Sequence, residues 1–189
     1  MANICYIQAR GGSKRFPGKN ITPWNGIPMI ADAISKARHS NLFHAVYVSS
    51  DDDEILDIAR KNGAVPVKRS AENSTDTATD TDVAFEVLSP FCSDEIQYVM
   101  KLYPCVPLLT EYDIRGAFDI LRLTNSDGIY SIDKDGVDAG AFYIFKLSSF
   151  FKYRTISLGA FPWIKYTLDV CQDINYPEDL ESAKRKAGL

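Results

Sequence analysis

The sequence holds no apolar run near the roughly 20 residues that cross a bilayer, and no basic start leading into an apolar stretch of the kind that directs export. Both absences lead to the expectation of a cytoplasmic protein without a membrane partner. Dithiol and zinc signatures are missing too, because Cys5, Cys92, Cys105 and Cys171 are scattered with no C-x-x-C spacing. There is no basic surplus either. Lys and Arg number 21 against 25 Asp and Glu, a formal net charge of -4, which argues against nucleic acid or an anionic membrane as a general partner. No internal repeat or low-complexity linker appears, and 189 residues suit one domain, 1–189, able to bury about 70% of its unfolded surface.

Against that acidic background one stretch reverses sign. The loop Ala9 to Asn20 follows the apolar run Ile4-Cys5-Tyr6-Ile7 and carries Arg10, Lys14, Arg15 and Lys19 with no anion. Gly11 and Gly12 let the backbone approach a ligand and turn successive N–H groups towards it, as phosphate-cradling loops do. The pattern is not a P-loop, since Asn20 stands where Ser or Thr would follow Lys19, and it is not G-x-G-x-x-G, since Gly11 and Gly12 are adjacent. A solvated basic turn would look similar. Its place after the first strand favours an anion site, because open α/β sheets bind ligands outside the carboxyl ends of their strands.

Along the chain, strand and helix patterns alternate. Strands are predicted at 3–8, 44–49, 64–68, 96–103, 128–132 and 141–145, and helices at 28–38, 50–62, 80–88, 110–123 and 177–186. Ile96 to Tyr103 is apolar enough on both faces to be central. Thr110 and Asp113 have capping-box spacing, with Asp in place of Glu, and Asn175 and Glu178 have similar spacing before the last helix. The order predicts a mostly parallel, mixed sheet with helices on both faces, and a turn at Asp133 to Asp138.

The stretch Ile7-Gln8-Ala9-Arg10-Gly11-Gly12-Ser13-Lys14-Arg15-Phe16-Pro17-Gly18-Lys19-Asn20-Ile21 resembles the N-terminal signature of the acylneuraminate cytidylyltransferases. Further landmarks follow in the family's order: Val48 to Asp52, Arg69 followed by Asp76, Tyr103 to Leu108, Asp138 to Tyr143, and Gln172 to Leu180. Tyr103-Pro104, Asp138-Ala139-Gly140 and Gln172-Asp173 look most like the pseudaminic acid branch. The resemblance implies a Rossmann-like nucleotide-diphospho-sugar transferase fold. It also implies transfer of CMP from CTP to a nonulosonic acid with release of pyrophosphate, assisted by Mg2+.

Carried over position by position, it implies that Ala9, Arg10, Gly11, Gly12, Ser13, Lys14, Lys19 and Asn20 bind the nucleotide. Arg69 would recognise the base, with Asp76 in the loop behind it, because cationic donors suit the O2 and N3 acceptors of cytosine. Arg10, Lys14, Lys19 and Asp173 would be catalytic, Asp173 and Asn175 would hold the metal, and Tyr103 and Phe142 would line the sugar pocket. Two departures stand out. Asn175 replaces the family's second metal Asp, and only Asp133 to Val137 separates Ile132 from Asp138, where relatives carry an arm that helps form a homodimer and lends sugar-binding residues. Two alternatives therefore stay open: a CTP-dependent nucleotidyltransferase acting on a smaller acceptor, and a catalytically weakened CTP-binding regulatory protein.

Overall fold

Strand β1 (Ala2–Gln8) runs through the middle of the molecule because it is apolar on both sides. Ile4 and Tyr6 turn to one face, Cys5 and Ile7 to the other, and all four are buried. The structure, a computed structural model, describes residues 2–92 and 95–189. After β1 come a short hairpin, β2 (Pro23–Trp24) and β3 (Ile27–Pro28), then α1 (Met29–His39), β4 (Ala45–Ser50), α2 (Asp53–Lys61) and β5 (Val65–Lys68). The chain continues through α3 (Asp80–Leu88), β6 (Ile96–Leu102), α4 (Glu111–Thr124), β7 (Gly128–Ile132), β8 (Asp138–Lys146), α5 (Leu147–Tyr153), β9 (Trp163–Thr167) and α6 (Pro177–Ala187).

Seven strands form one sheet in the order β5-β4-β1-β6-β8-β7-β9. Only β8 runs antiparallel to its neighbours, so the sheet is mixed and mostly parallel, as expected. From β1 the chain moves outwards to β4 and β5, then returns to β6 on the other side of β1. This reversal opens a crevice beyond the carboxyl ends of β1 and β6, the place where such sheets bind ligands.

Alternation along the strands divides the core. Cys5, Val48, Met100 and Phe142 pack under α1, α2 and α4, whereas Ile4, Tyr6, Val99 and Phe145 face α3 and α5. A third cluster joins Trp24, Met29, Cys105 and Ile174 to Ala183 of α6 and seats the last helix beside the crevice. The helices begin where local chemistry allows. Asp52 caps α2 by accepting from the Glu54 and Ile55 amides, and Thr79/Asp82 and Thr110/Asp113 close capping boxes on α3 and α4. At α6 the anticipated partner of Asn175 differs. Asp179, one residue after Glu178, accepts from the Asn175 and Tyr176 amides.

Four of these elements, β2, β3, α5 and β9, lie outside the predicted set. The hairpin β2–β3 turns on Asn25 and Gly26, both at positive φ, the residue pair that two-residue hairpin turns require. Helix α5 follows β8 with no intervening breaker residue, and β9 is an edge strand without a buried alternation. The segment Asp133–Val137 is a tight turn: Asp133 Oδ1 accepts from the amides of Asp135 and Val137, and Gly136 has φ 82. No helix among the described residues is long and apolar enough to cross a membrane.

Candidate active site

The crevice is a cleft of about 460 Å³ lined from several parts of the chain: Gln8 to Asn20 after β1, Arg69 to Asp80 after β5, Tyr103 to Cys105 after β6, and Asp173 before α6. It gathers Arg10, Ser13, Lys14, Lys19, Asn20, Arg69, Asp76, Tyr103 and Asp173 from the predicted set.

The loop after β1 is held open from below. Asn20 is buried, donates from Nδ2 to the Arg10 carbonyl at 2.8 Å, and accepts at Oδ1 from the Cys105 thiol at 3.1 Å. Burial pushes that thiol up to about 12, so it stays a protonated donor. Asn20 therefore fixes the backbone that carries Arg10. Gly11 is fixed from the other side, where a Cβ would meet Asp52 Oδ2 at 2.7 Å and Asp52 Cβ at 2.8 Å. Only glycine fits there.

The expectation that successive loop amides face a ligand meets a different geometry. The Gly11 N–H donates to Asp51 Oδ1 at 2.9 Å, and the Ser13 N–H folds back onto the Gly11 carbonyl at 2.9 Å. Asp51, at the end of the neighbouring strand, thus uses up one of the amides. Of the three, Gly12 alone keeps an N–H without a partner among the described residues. The donors left free to meet a ligand are mainly side chains. Arg10 and Lys14 both pair with Asp76, Arg10 at 2.9 Å, and Arg10 also donates to the Thr75 carbonyl at 3.2 Å. The hydrogen bond from Lys14, then that from Arg10, hold the Asp76 carboxyl below its ordinary pKa.

Arg69 is buried in the cleft wall, its Nε donating to Ser49 Oγ at 3.0 Å and its NH2 to the Ser49 carbonyl at 2.8 Å. Burial lowers its pKa from the ordinary guanidinium value, countered first by Asp51. On the opposite wall, Lys19 Nζ donates to the Ile174 carbonyl at 2.8 Å and to Asn175 Oδ1 at 3.3 Å. Arg15 donates to the same Asn175 oxygen at 3.0 Å, while Asn175 Nδ2 donates to Asp173 Oδ2 at 2.6 Å. Burial raises the Asp173 pKa, and Lys19 opposes that shift.

Two expected contacts lie elsewhere. Phe142 is fully buried beneath α4 against Tyr166 and does not line the cleft, because strand alternation turns it to the face opposite Tyr143. Ala9 is likewise a core residue. Sequence reasoning passes over Asp80 and Lys101. Asp80 lies at the start of α3, and the Lys101 amine is bonded to it. A lysine in the apolar stretch 98–102 of a central strand is the signal that could have found them.

A family model described as cytidylyltransferase matches residues 4–152. The chain belongs to the cytidylyltransferase family. Among members with assigned activities, it is 40% identical over 122 residues to the pseudaminic acid cytidylyltransferase of Campylobacter jejuni, covering 63% of this chain and 53% of that one. To the CMP-N,N'-diacetyllegionaminic acid synthase of Legionella pneumophila it is 35% identical over 127 residues, with 66% and 55% covered. This cytidylyltransferase-family chain therefore spans about half the length of the curated relatives it matches. A solved structure of CMP:2-keto-3-deoxy-manno-octonic acid synthetase complexed with CTP shares the fold, with TM-score 0.76 at 14% identity over 100% of this chain and 99% of that one.

Proposed function

We propose that the protein transfers CMP from CTP to a nonulosonic acid of the pseudaminic or sialic type, releasing pyrophosphate, in the cytoplasm. The observation that carries this reading is the convergence of Arg10, Lys14, Lys19 and Arg69 on a single cleft at the switch point of the sheet. Four cations at a point where the fold binds ligands suit a triphosphate and its base.

In this reading Arg10, Lys14 and Lys19 bind the β- and γ-phosphates and take up charge on the departing pyrophosphate. The Gly12 amide and the Ser13 hydroxyl supply neutral donors to the same group. Arg69, anchored through two of its nitrogens on Ser49, presents its remaining donors to the cytosine ring. An acceptor hydroxyl attacks the α-phosphorus, the bond to the β-phosphate oxygen breaks, and pyrophosphate leaves.

A divalent cation fits one carboxylate here, because Mg2+ is commonly held by one or two carboxylates together with substrate phosphates, and Asp173 lines the cleft. Bound there, it would neutralise charge on the phosphates as a Lewis acid. Asn175 fits the position of an orienting neighbour rather than a ligand, since its amide oxygen already accepts from Arg15 and Lys19 and its nitrogen holds Asp173. Replacing Asn175 with Asp is expected to lower the Mg2+ concentration needed for half-maximal turnover by about tenfold. An unchanged metal titration would assign residue 175 to positioning alone.

The deciding experiment measures pyrophosphate release from CTP with Mg2+ across nonulosonic acids and smaller hydroxy acceptors. Turnover with a nonulosonic acid is the expected result. Turnover only with a small acceptor would move the assignment to another nucleotidyltransferase, and CTP binding without release would leave a nucleotide-binding protein.

A further inference from the structure

The sheet face beneath α3 and α5 carries a charge that apolar packing does not explain. Strand register sets Tyr47, Tyr6, Lys101, Tyr143 and Tyr130 in one row across β4, β1, β6, β8 and β7. The lysine side chain in the middle is only 1% exposed. Removing an ammonium from water is costly, and a methionine would fill this position without that penalty. Burial duly lowers the Lys101 pKa, with Asp80 opposing the shift.

The contacts of Lys101 converge on one group. Its Nζ donates to Asp80 Oδ2 and to the Tyr103 hydroxyl, and that hydroxyl donates to the same Asp80 Oδ2 at 2.6 Å. The ammonium also lies 4.1 Å from the Tyr103 ring centre and 5.1 Å from that of Tyr143. Asp80 is thereby fixed through one oxygen. Its Oδ1 accepts no hydrogen bond among the described residues, although the side chain is 51% exposed.

Asp80 stands between two cavities. On one side is the cleft described above, and on the other a second cavity of about 470 Å³ that shares Thr79 and Asp80 with it. Thr81, Thr155, Ser157 and the Tyr143 ring line this second space together with Lys101. Hydroxyls and a fixed carboxylate are the chemistry that recognises a polyhydroxylated molecule.

We propose that Asp80 is the acceptor-recognition group: with Oδ2 held by Lys101 and Tyr103, it offers Oδ1 to the hydroxyls of a polyhydroxylated acid reaching from the cleft into the second cavity. Lys101 is its positioning residue. The word acceptor rests on the cytidylyltransfer reading, but binding in the second cavity is measurable without turnover.

Calorimetry with the full chain, titrating N-acetylneuraminic acid and 3-deoxy-manno-octulosonic acid in the presence and absence of CTP, tests it. Asp80→Asn is isosteric and should weaken acid binding about tenfold or more, with no loss of CTP affinity. Lys101→Met should do the same in the native background and add nothing in the Asp80→Asn background, which separates positioning from a general packing loss. Should Lys101→Met fail to fold, Tyr103→Phe, which removes one donor from Asp80 Oδ2, provides the second arm with a smaller loss. Equal acid affinity in Asp80→Asn and wild type, or no binding of either acid to wild type, would overturn the proposal. Acid binding that depends on Asp80 without pyrophosphate release would leave it standing and remove the cytidylyltransfer reading instead.

Discussion

The two walls of the cleft handle charge in opposite ways. On the wall after β1, Arg10 and Lys14 are partly or largely exposed, and both rest on one acid, Asp76, that belongs to a surface loop. On the wall below α3, Lys101 is sealed beneath the surface, and its acid, Asp80, is locked by a second donor. Exposed pairs of the first kind contribute little to stability and exchange partners readily, whereas a buried ammonium is costly to separate from its acid. The first wall suits a ligand that brings its own negative charge and replaces Asp76. The second suits a directional contact from a fixed carboxylate to hydroxyls.

The sharpest way to break this contrast is Arg10→Ala. On the proposed reading Arg10 meets developing charge, and its removal is expected to cost roughly 10²- to 10³-fold in turnover. The melting temperature should barely move, because the pair that is lost lies at the surface. A large fall in stability with unchanged nucleotide affinity would show that Arg10 belongs to the scaffold.

Ser49→Ala probes an intermediate case, since the hydroxyl is buried and its one role in the wall is to accept from Arg69 Nε. Leaving a charged donor short of its acceptor should destabilise the fold by about 1–3 kcal/mol. It should also let the guanidinium shift, narrowing the preference for CTP over UTP. Chemical denaturation and competition binding give the two values. Retained discrimination with lost stability would confine Ser49 to the fold.

Much of this architecture is legible in the sequence because charge and periodicity report local facts. The cationic loop stands out against an acidic chain, and the helices with caps or terminal glycines fall within a few residues of their predicted ends. What escapes depends on partners distant in sequence. Phe142 and Tyr143 look equivalent as aromatics, and only the register of β8 against β6 sends one into the core and the other beside Lys101. The Gly11 amide, expected to face a ligand, is taken by Asp51, 40 positions on and just past the end of β4. Asp80 resembles any first-turn acid of a helix, and only the strand order brings Lys101 under it.

Asp76→Asn sharpens the comparison with the smallest change. On the proposed reading the carboxylate competes with an incoming phosphate for Arg10 and Lys14, so its neutral analogue should tighten CTP binding by roughly a few-fold, with the gain fading as salt rises. Its pH signature has a definite sign. Because Lys14 and Arg10 depress the folded-state pKa of Asp76, its pairing stabilises the fold fully above the ordinary carboxylate value near 4 and loses that contribution as pH falls through the depressed one. The variant carries no such group. Its stability should sit slightly below wild type at neutral pH, and the two curves should meet in acid. Curves that remain parallel down through that range, together with unchanged CTP affinity, would mean that Asp76 is not the partner the phosphate must displace.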